Sequence, residues 1–476
     1  MRVYAINIFG TVSLALILNG ISSVWTWVVA AGYLMFWLHD RVVSDVPLYR
    51  NYPVLGRLQS AIKPILSGSS DNLLPYARGT FDTVRSYARG VTPYSSFGKQ
   101  TLSNNKYAIR HVMFPKDNVA SDFRITIGGT QCRQRYACSI LNISALSFGS
   151  ITPNAIKTLS CAADKGRFFY NTGEAGIHQN AFDGNGDLVW QIGTGYFGCR
   201  TIDGTFDERL FEQKANLANV KMIEIKISQG SKPALGGFLP GSKVSQEVAT
   251  LCGIPVHKDS ILPTAHSAFS SVEALPDFIA KIRQLSNGKP IGLKLCVGNQ
   301  QELGQLFHEM KKSSCYPDFI AIDGNNGGTG SAPVEYQDSV GMPLLPALTI
   351  VDNLLVEYGL REEIRILASG QISVARDMFI ALAHGADICV AARPFLIAMG
   401  CVQALACGSS LCPAGITSSH PWLDKAVKPE KRSRYLVNYQ QQMRANLGNL
   451  VASAGLSTPS EITRSHLFTS EIVKPL

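Results

Sequence analysis

Charge is scarce in this chain. Asp, Glu, Lys and Arg make up 17% of its 476 residues, and none occurs from Val3 to Leu38. The formal net charge of +9 comes from basic residues scattered along the chain. Without a basic stripe, a nucleic-acid surface has no support. Paired cysteines are lacking too. The 11 cysteines are an odd number, spread from Cys132 to Cys412. That excludes the dense disulfide framework of a small secreted domain and suits a reducing compartment. A working dinucleotide fingerprint is also absent. "GTGYFG" (Gly193–Gly198) has the G-x-G-x-x-G pattern and follows the strand-like "LVWQI", but "CRTIDGTFDE" after it opens no helix. The helix N-terminus that would hold a pyrophosphate is therefore missing. With no nicotinamide site, electrons have to come from a partner protein.

What is present begins with the uncharged stretch. As one helix, the 36 residues from Val3 to Leu38 would measure about 54 Å, against a hydrocarbon core of about 30 Å. The polar break at "NGISS" (Asn19–Ser23) divides it into two short spans. Arg2 precedes the first; Arg41, Arg50 and Arg57 follow the second. This pattern predicts a transmembrane hairpin over 1–40 in the inner (cytoplasmic) membrane, with the remainder facing the cytoplasm. A cleaved signal peptide fits less well, because a second apolar run follows closely and no small-residue cleavage site is evident.

Residues 41–125 read as a connecting region. Over 126–425 the rhythm becomes strand and helix. The runs "ACSILNISALSFGS", "FFYNTGEAG", "MIEIKISQG", "IGLKLCVG", "DFIAIDGNNGGTG", "IRILASG" and "ICVAAR" are β-rich, and helical stretches separate the later ones. Near-continuous apolar strands imply a sheet buried on both faces, the parallel α/β case. With a weak strand near Ser260–Leu262 the count reaches eight. The expected fold is α/β, a (β/α)8 TIM barrel, with an open doubly wound sheet as the alternative; 426–476 reads as a helical extension. In a barrel, chemistry belongs at the C-terminal strand ends. Those ends carry Ser147, Glu174, Gln229, Lys232, Lys294, Asp323, Gly370 and Arg393. Glycine turns after strands six ("GGTG") and seven ("ASGQI") would let backbone N–H groups approach a phosphate. FMN is the simplest cofactor to fit. Lys294, inside an apolar strand, needs an anion, from an ion pair or from the N1/O2 edge of a reduced flavin.

"CVQALACGSSLCPAG" holds Cys401, Cys407 and Cys412 within twelve residues. An iron–sulfur or zinc site, a disulfide and inert buried thiols all remain open on spacing alone. Over about Ala137–Leu423, however, "SALSFGS", "NTGEAG", "QIGTGYFGCR", "KISQGSKP", "GGFLPGSKV", "HSAFSSVEAL", "DGNNGGTGSAP", "ASGQI" and the cysteine run resemble one family. It is the FMN- and iron–sulfur-containing synthase domain of glutamate synthases, and the likeness is greatest to its shorter membrane-anchored, single-domain branch. The resemblance implies that the three cysteines hold a [3Fe–4S] cluster beside the flavin. It implies reductive amination of 2-oxoglutarate or a related oxo acid or imine, with external ammonia. Ferredoxin or another electron-donor protein would supply electrons. Glu174 and Lys232 match substrate-side residues of the family. Ser147, Gln229, Lys294, Gly370 and Ala392 line up around the flavin, and Gly328 and Arg393 join the expected cofactor-binding set.

The chain departs from the larger synthases where they contact 2-oxoglutarate. Phe238 stands in place of a glutamine and Cys252 near the place of an arginine; Ala175 and Gln371 are further differences. These departures predict a less polar substrate than 2-oxoglutarate. Two other readings compete. One is an FMN-dependent 2-hydroxy acid-type dehydrogenase with His266 as its base. The other is a degenerate membrane electron-transfer or scaffold subunit.

Overall fold

The computed structural model describes residues 23–58, 76–94, 107–117, 120–330, 332–337 and 339–469. Eight parallel strands close on themselves: β1 (Leu141–Ile143), β2 (Phe169–Asn171), β3 (Asp187–Ile192), β4 (Val220–Lys226), β5 (Ile291–Leu295), β6 (Phe319–Asp323), β7 (Arg365–Ser369) and β8 (Ile388–Ala391). Pairing of β8 with β1 and of β4 with β5 completes the ring and leaves no open edge. The open-sheet alternative is thereby excluded, and the barrel is of the TIM type.

One strand differs from expectation. Ser260–Ile261 lies outside the barrel and pairs antiparallel with Phe238–Leu239 in a small hairpin sheet. The missing member is Asp187–Ile192, the run just before "GTGYFG". Its residues from Leu188 onward are buried, as a barrel strand requires, whereas Ile261 is exposed. No helix opens after the glycine motif until Glu208, so the pyrophosphate-binding geometry is absent there.

Inward-facing side chains sort by height. Phe169, Val189, Met222, Phe319, Ala321, Leu367, Ile388 and Val390 pack together with Ile127 and Cys138. The last two come from an antiparallel hairpin, Arg124–Ile127 with Tyr136–Ser139. It stops one end of the barrel with apolar side chains. Two residues further along the strands, the period-2 alternation of side chains places Asn171, Gln191, Glu224, Asp323 and Ser369. Apolar contacts hold the barrel shut below and polar groups collect above.

The long helix Pro429–Ser453 packs on the outer helices Pro153–Gly166, Ala375–Ala383 and Arg393–Met399, and on Arg78–Ala88 from the N-terminal region. It is tied in by polar bonds: Gln440 donates to Ser139 Oγ (2.8 Å), and the Tyr439 hydroxyl to the Ser373 carbonyl (3.0 Å). A second tie is the antiparallel pairing of Tyr107–Ile109 with Leu467–Thr469.

The first arm of the expected membrane hairpin lies outside the described residues. The second is the helix Ser23–Leu38, only 16 residues or about 24 Å long. Among the described residues no helix is long and apolar enough to cross a membrane, so the spanning hairpin is not supported there. The apolar run stops at His39–Val43, where the buried Asp40 carboxylate pairs with Arg57 at 2.6 Å and accepts from the Val54 N–H at 3.0 Å. Trp27, 75% exposed, and Met35, 62% exposed, leave part of this helix uncovered.

Candidate active site

At the upper end of β4, successive inward positions are Met222, Glu224 and Lys226, one apolar and two charged. Glu224 is buried and accepts from Asn171 Nδ2 (2.8 Å) and Gln191 Nε2 (2.6 Å). Beside it, Lys294 on β5 pairs with Asp323 on β6 at 3.5 Å. Asp323 also accepts from Ser369 Oγ (2.7 Å) and the Gly230 N–H (3.0 Å). Burial would lower the Lys294 pKa, but Asp323 and Glu224 outweigh it and raise the ammonium above its ordinary value. The anion that Lys294 requires is thus an aspartate of the next strand.

Above this layer sits a charged triad. Glu174, in the turn after β2, pairs with Lys226 Nζ at 2.5 Å. Burial would raise the Glu174 carboxyl, yet Lys226, Lys232 and Lys294 together hold it below its ordinary range, so it stays ionised at neutral pH. Two glycines leave it room. A Cβ at Gly193 would stand 2.3 Å from Glu174 Oε2, and one at Gly237 3.2 Å from Oε1. Lys232, in the loop after β4, is buried. Its ammonium has no hydrogen-bond acceptor and no ion pair among the described residues. Burial, then repulsion from Lys226, lowers its pKa, and Glu174 only partly opposes this. A buried cation without a close anion is costly. An anionic ligand at this spot would remove the cost.

The opposite rim is built from backbone. Among the described residues the N–H groups of Gln371 and Ile372, after β7, and of Ala392 and Arg393, after β8, find no protein acceptor. Gly370 at φ +132° makes the turn there. Asn326 presents a buried Oδ1 with no partner, 3.1 Å from where a Cβ on Gly370 would stand. Arg393 donates to the Asn326 carbonyl (3.0 Å) and lies over Gly328, where a Cβ would come within 2.6 Å of its Nε. Unused donors in the β7 and β8 loops form an anion cradle of the kind that holds a cofactor phosphate in this fold. The residues present therefore fit an FMN phosphate. Gln229 donates to Ser231 Oγ (3.2 Å), and Ser147 contacts Ser150 Oγ (3.1 Å) beside Gly173.

The loops of this mouth are packed backbone to backbone. A Cβ on Gly230 would stand 1.7 Å from the Gly324 carbonyl oxygen. Gly230→Ala must push the loops after β4 and β6 apart, and overpacking of this kind costs about 1–3 kcal/mol. The variant is expected to show a lower urea midpoint and weaker flavin retention; wild-type values for both would refute this packing.

Of the cysteine loop, Cys407 and Cys412 feel each other electrostatically, and burial, then Cys412, raises the Cys407 thiol. Cys401 Sγ accepts from the Gln403 N–H (3.4 Å). Among the described residues no three His, Cys, Asp or Glu side chains converge as a metal-holding group. The loop does border the mouth: a Cβ on Gly330, after β6, would lie 3.4 Å from Cys407 Cβ. Lys243 Nζ donates to the Cys407 carbonyl.

His266 is no free base. Its Nε2 bonds the Lys226 carbonyl (2.9 Å), its Nδ1 meets the Tyr196 hydroxyl (3.1 Å), and its ring stacks on Phe269. Burial lowers its pKa. Phe238 is 42% exposed in the hairpin sheet, whereas Cys252 is buried and donates to the Ala175 carbonyl (3.5 Å). Lys226 escapes a reading of strand ends alone. The alternation Met222–Glu224–Lys226 within "MIEIKIS" is the signal that could have found it.

The family model described as "Conserved region in glutamate synthase" matches residues 96–457. The Glutamate synthase large subunit-like protein YerD of Bacillus subtilis is 38% identical over 343 residues, which is 72% of this chain and 65% of that protein. The Archaeal glutamate synthase (NADPH) of Methanocaldococcus jannaschii is 32% identical over 318 residues, 66% of this chain and 59% of its own. The chain thus spans about six tenths of the length of these relatives. Among solved structures, a flavocytochrome b2 variant with sulfite bound covers 92% of this chain and 90% of its own at 14% identity, with a TM-score of 0.48. That likeness is too weak to decide anything. The family match takes in the whole barrel, the cysteine loop and the long C-terminal helix, and on that footing the chain belongs to the glutamate synthase family.

Proposed function

We propose that the chain is a glutamate synthase-type oxidoreductase that uses FMN to reduce the imine formed between a 2-oxo acid and external ammonia. The observation that carries this reading is Lys232, a buried ammonium with no ion pair or hydrogen-bond acceptor of its own among the described residues, near the ionised Glu174–Lys226 pair. Lys232 takes the substrate carboxylate as a charge-assisted pair. Glu174 accepts from the nitrogen as it adds to the ketone and receives a proton released there. The cradle after β7 and β8 takes the FMN phosphate, with Asn326 and Arg393 shaping its wall. When bound, FMN supplies hydride chemistry at the mouth. His266, both of whose nitrogens are engaged, gives the 2-hydroxy acid dehydrogenase reading no base.

Cys401, Cys407 and Cys412 are proposed as ligands of a [3Fe–4S] cluster, supported by three thiols on one loop that borders the flavin mouth. Cys407→Ser is expected to abolish bound iron, about three per chain in the unmodified protein, and to keep most of the flavin, since the phosphate cradle belongs to other loops. Unchanged iron would sink the cluster assignment. Electrons are proposed to come from ferredoxin or another protein donor. The uncharged N-terminal stretch is proposed to hold the barrel at the cytoplasmic face of the inner membrane. Deletion of residues 1–38 should then move a flavin-bearing protein from the membrane to the supernatant.

The deciding experiment is anaerobic purification, cofactor analysis and stopped-flow reoxidation of the reduced flavin. Rapid reoxidation should need an oxo acid and ammonium together. Reoxidation by the oxo acid alone, unaffected by ammonium, would count against the reading.

A further inference from the structure

Lys243 is a buried cation outside the charged triad. It ends the turn Gly241–Lys243, which follows the hairpin strand Phe238–Leu239. The turn is fixed from both sides. The Gly241 N–H donates to Asp259 (2.7 Å), and a Cβ on Gly241 would stand 2.6 Å from the His257 carbonyl oxygen. From this turn Lys243 Nζ reaches the cysteine loop and donates to the Cys407 carbonyl. It has no ion pair with a carboxylate among the described residues. Burial lowers its pKa, and the charges that oppose this are those of Cys407, then Cys412. The cysteine loop and the turn after it hold two further donors in reserve. Ser410 Oγ and Thr417 Oγ1 are buried with no hydrogen-bond partner among the described residues. The Ser418 hydroxyl, donating to the Ser410 carbonyl at 2.6 Å, draws that segment together.

A carbonyl alone does not balance a buried ammonium. Ionised sulfur at Cys407 and Cys412 would balance it, and the same anionic centre would give the two unused hydroxyls an acceptor. The residues present therefore fit a negatively charged sulfur centre on this loop. Net charge and hydrogen bonds to the sulfurs set the potential of such centres. We infer that Lys243 is the counter-cation of the cysteine-loop centre and raises its reduction potential, because a fixed positive charge favours the state that carries one more electron. The inference rests on the cluster reading above and names a residue that positions charge beside it.

The test is an anaerobic redox titration of the holoprotein that follows the EPR signal of the oxidised centre, with iron and flavin contents measured alongside. Lys243→Gln keeps an N–H donor for the Cys407 carbonyl and removes the charge. It should lower the midpoint, shifting the oxidised-to-reduced ratio at a fixed potential at least about tenfold, which is about 59 mV for one electron. Flavin content should not change. Lys243→Arg, which keeps the charge, should stay near the unmodified midpoint. A role confined to the Cys407 carbonyl would leave the Lys243→Gln midpoint unshifted. That result, with iron still bound, overturns the inference and spares the cluster reading. If Lys243→Gln loses its iron, retention by Lys243→Arg supports the counter-charge, and loss from both variants overturns it. An unmodified protein that binds no iron would overturn the cluster reading itself, and the inference with it.

Discussion

Lys294→Met is expected to destabilise the protein by about 3–5 kcal/mol, because it leaves buried carboxylates without their cation. Asp323 would keep its bonds from Ser369 and Gly230 but lose the ammonium at 3.5 Å, and Glu224 would lose the same positive charge nearby. Urea denaturation followed by tryptophan fluorescence checks this, and a midpoint within error of wild type would show that the pair contributes nothing. The pH dependence has a definite sign. The folded Lys294 pKa is raised above its ordinary value, so the stabilisation is fully present below the unfolded value of about 10.4 and is lost as pH rises through the folded one. The stability gap between wild type and Lys294→Met should stay constant through neutral pH and narrow only in strong alkali. Asp323→Asn should lose less, since the amide can still receive a bond from Ser369, but it strands the lysine. Methionine at 294 combined with asparagine at 323 should recover part of the loss.

Lys232→Met should weaken oxo-acid binding about 10- to 150-fold, the equivalent of one charge-assisted hydrogen bond at about 1.5–3 kcal/mol. It should leave flavin content intact, because Lys232 lies on the side of the mouth away from the β7 and β8 cradle. Removing this ammonium also relieves repulsion with Lys226, so the variant should be no less stable than wild type. Affinity lost without stability lost is the signature of a ligand-binding cation. In the unmodified protein, oxo-acid affinity should hold at neutral pH and fall as pH rises through the lowered Lys232 pKa, earlier than for an ordinary lysine. Lys232→Met should flatten that decline. If the decline persists in the variant, another group controls binding.

Much of the architecture was legible in the residues. Near-continuous apolar runs announce a doubly buried parallel sheet, and the helices Leu275–Leu285, Gln300–Ser313 and Ala375–Ala383 lie where helical patterning places them. Glu174, Lys232, Gly370 and Arg393 fall at one end of the barrel because every strand of a parallel barrel points the same way. The eighth strand was harder to identify. "LVWQI" was masked by the glycine motif after it, while Ser260–Leu262 mimics a strand over so short a length that local composition could not distinguish them. Phe238 and Cys252 suggested a less polar substrate, but residue types aligned along a chain do not say that Cys252 is buried while Phe238 is 42% exposed.

The sequence by itself determined the fold class, the end of the barrel where chemistry occurs and the residue types gathered there, because side-chain period and strand direction are local properties. Tertiary structure decided which charges pair. It gave Lys294 an aspartate on the next strand, tied Lys226 to Glu174, left Lys232 without an ion pair and engaged both nitrogens of His266. Those outcomes depend on distances between residues some 30 to 70 positions apart in sequence, and burial strengthens each electrostatic interaction only once the barrel has closed around it.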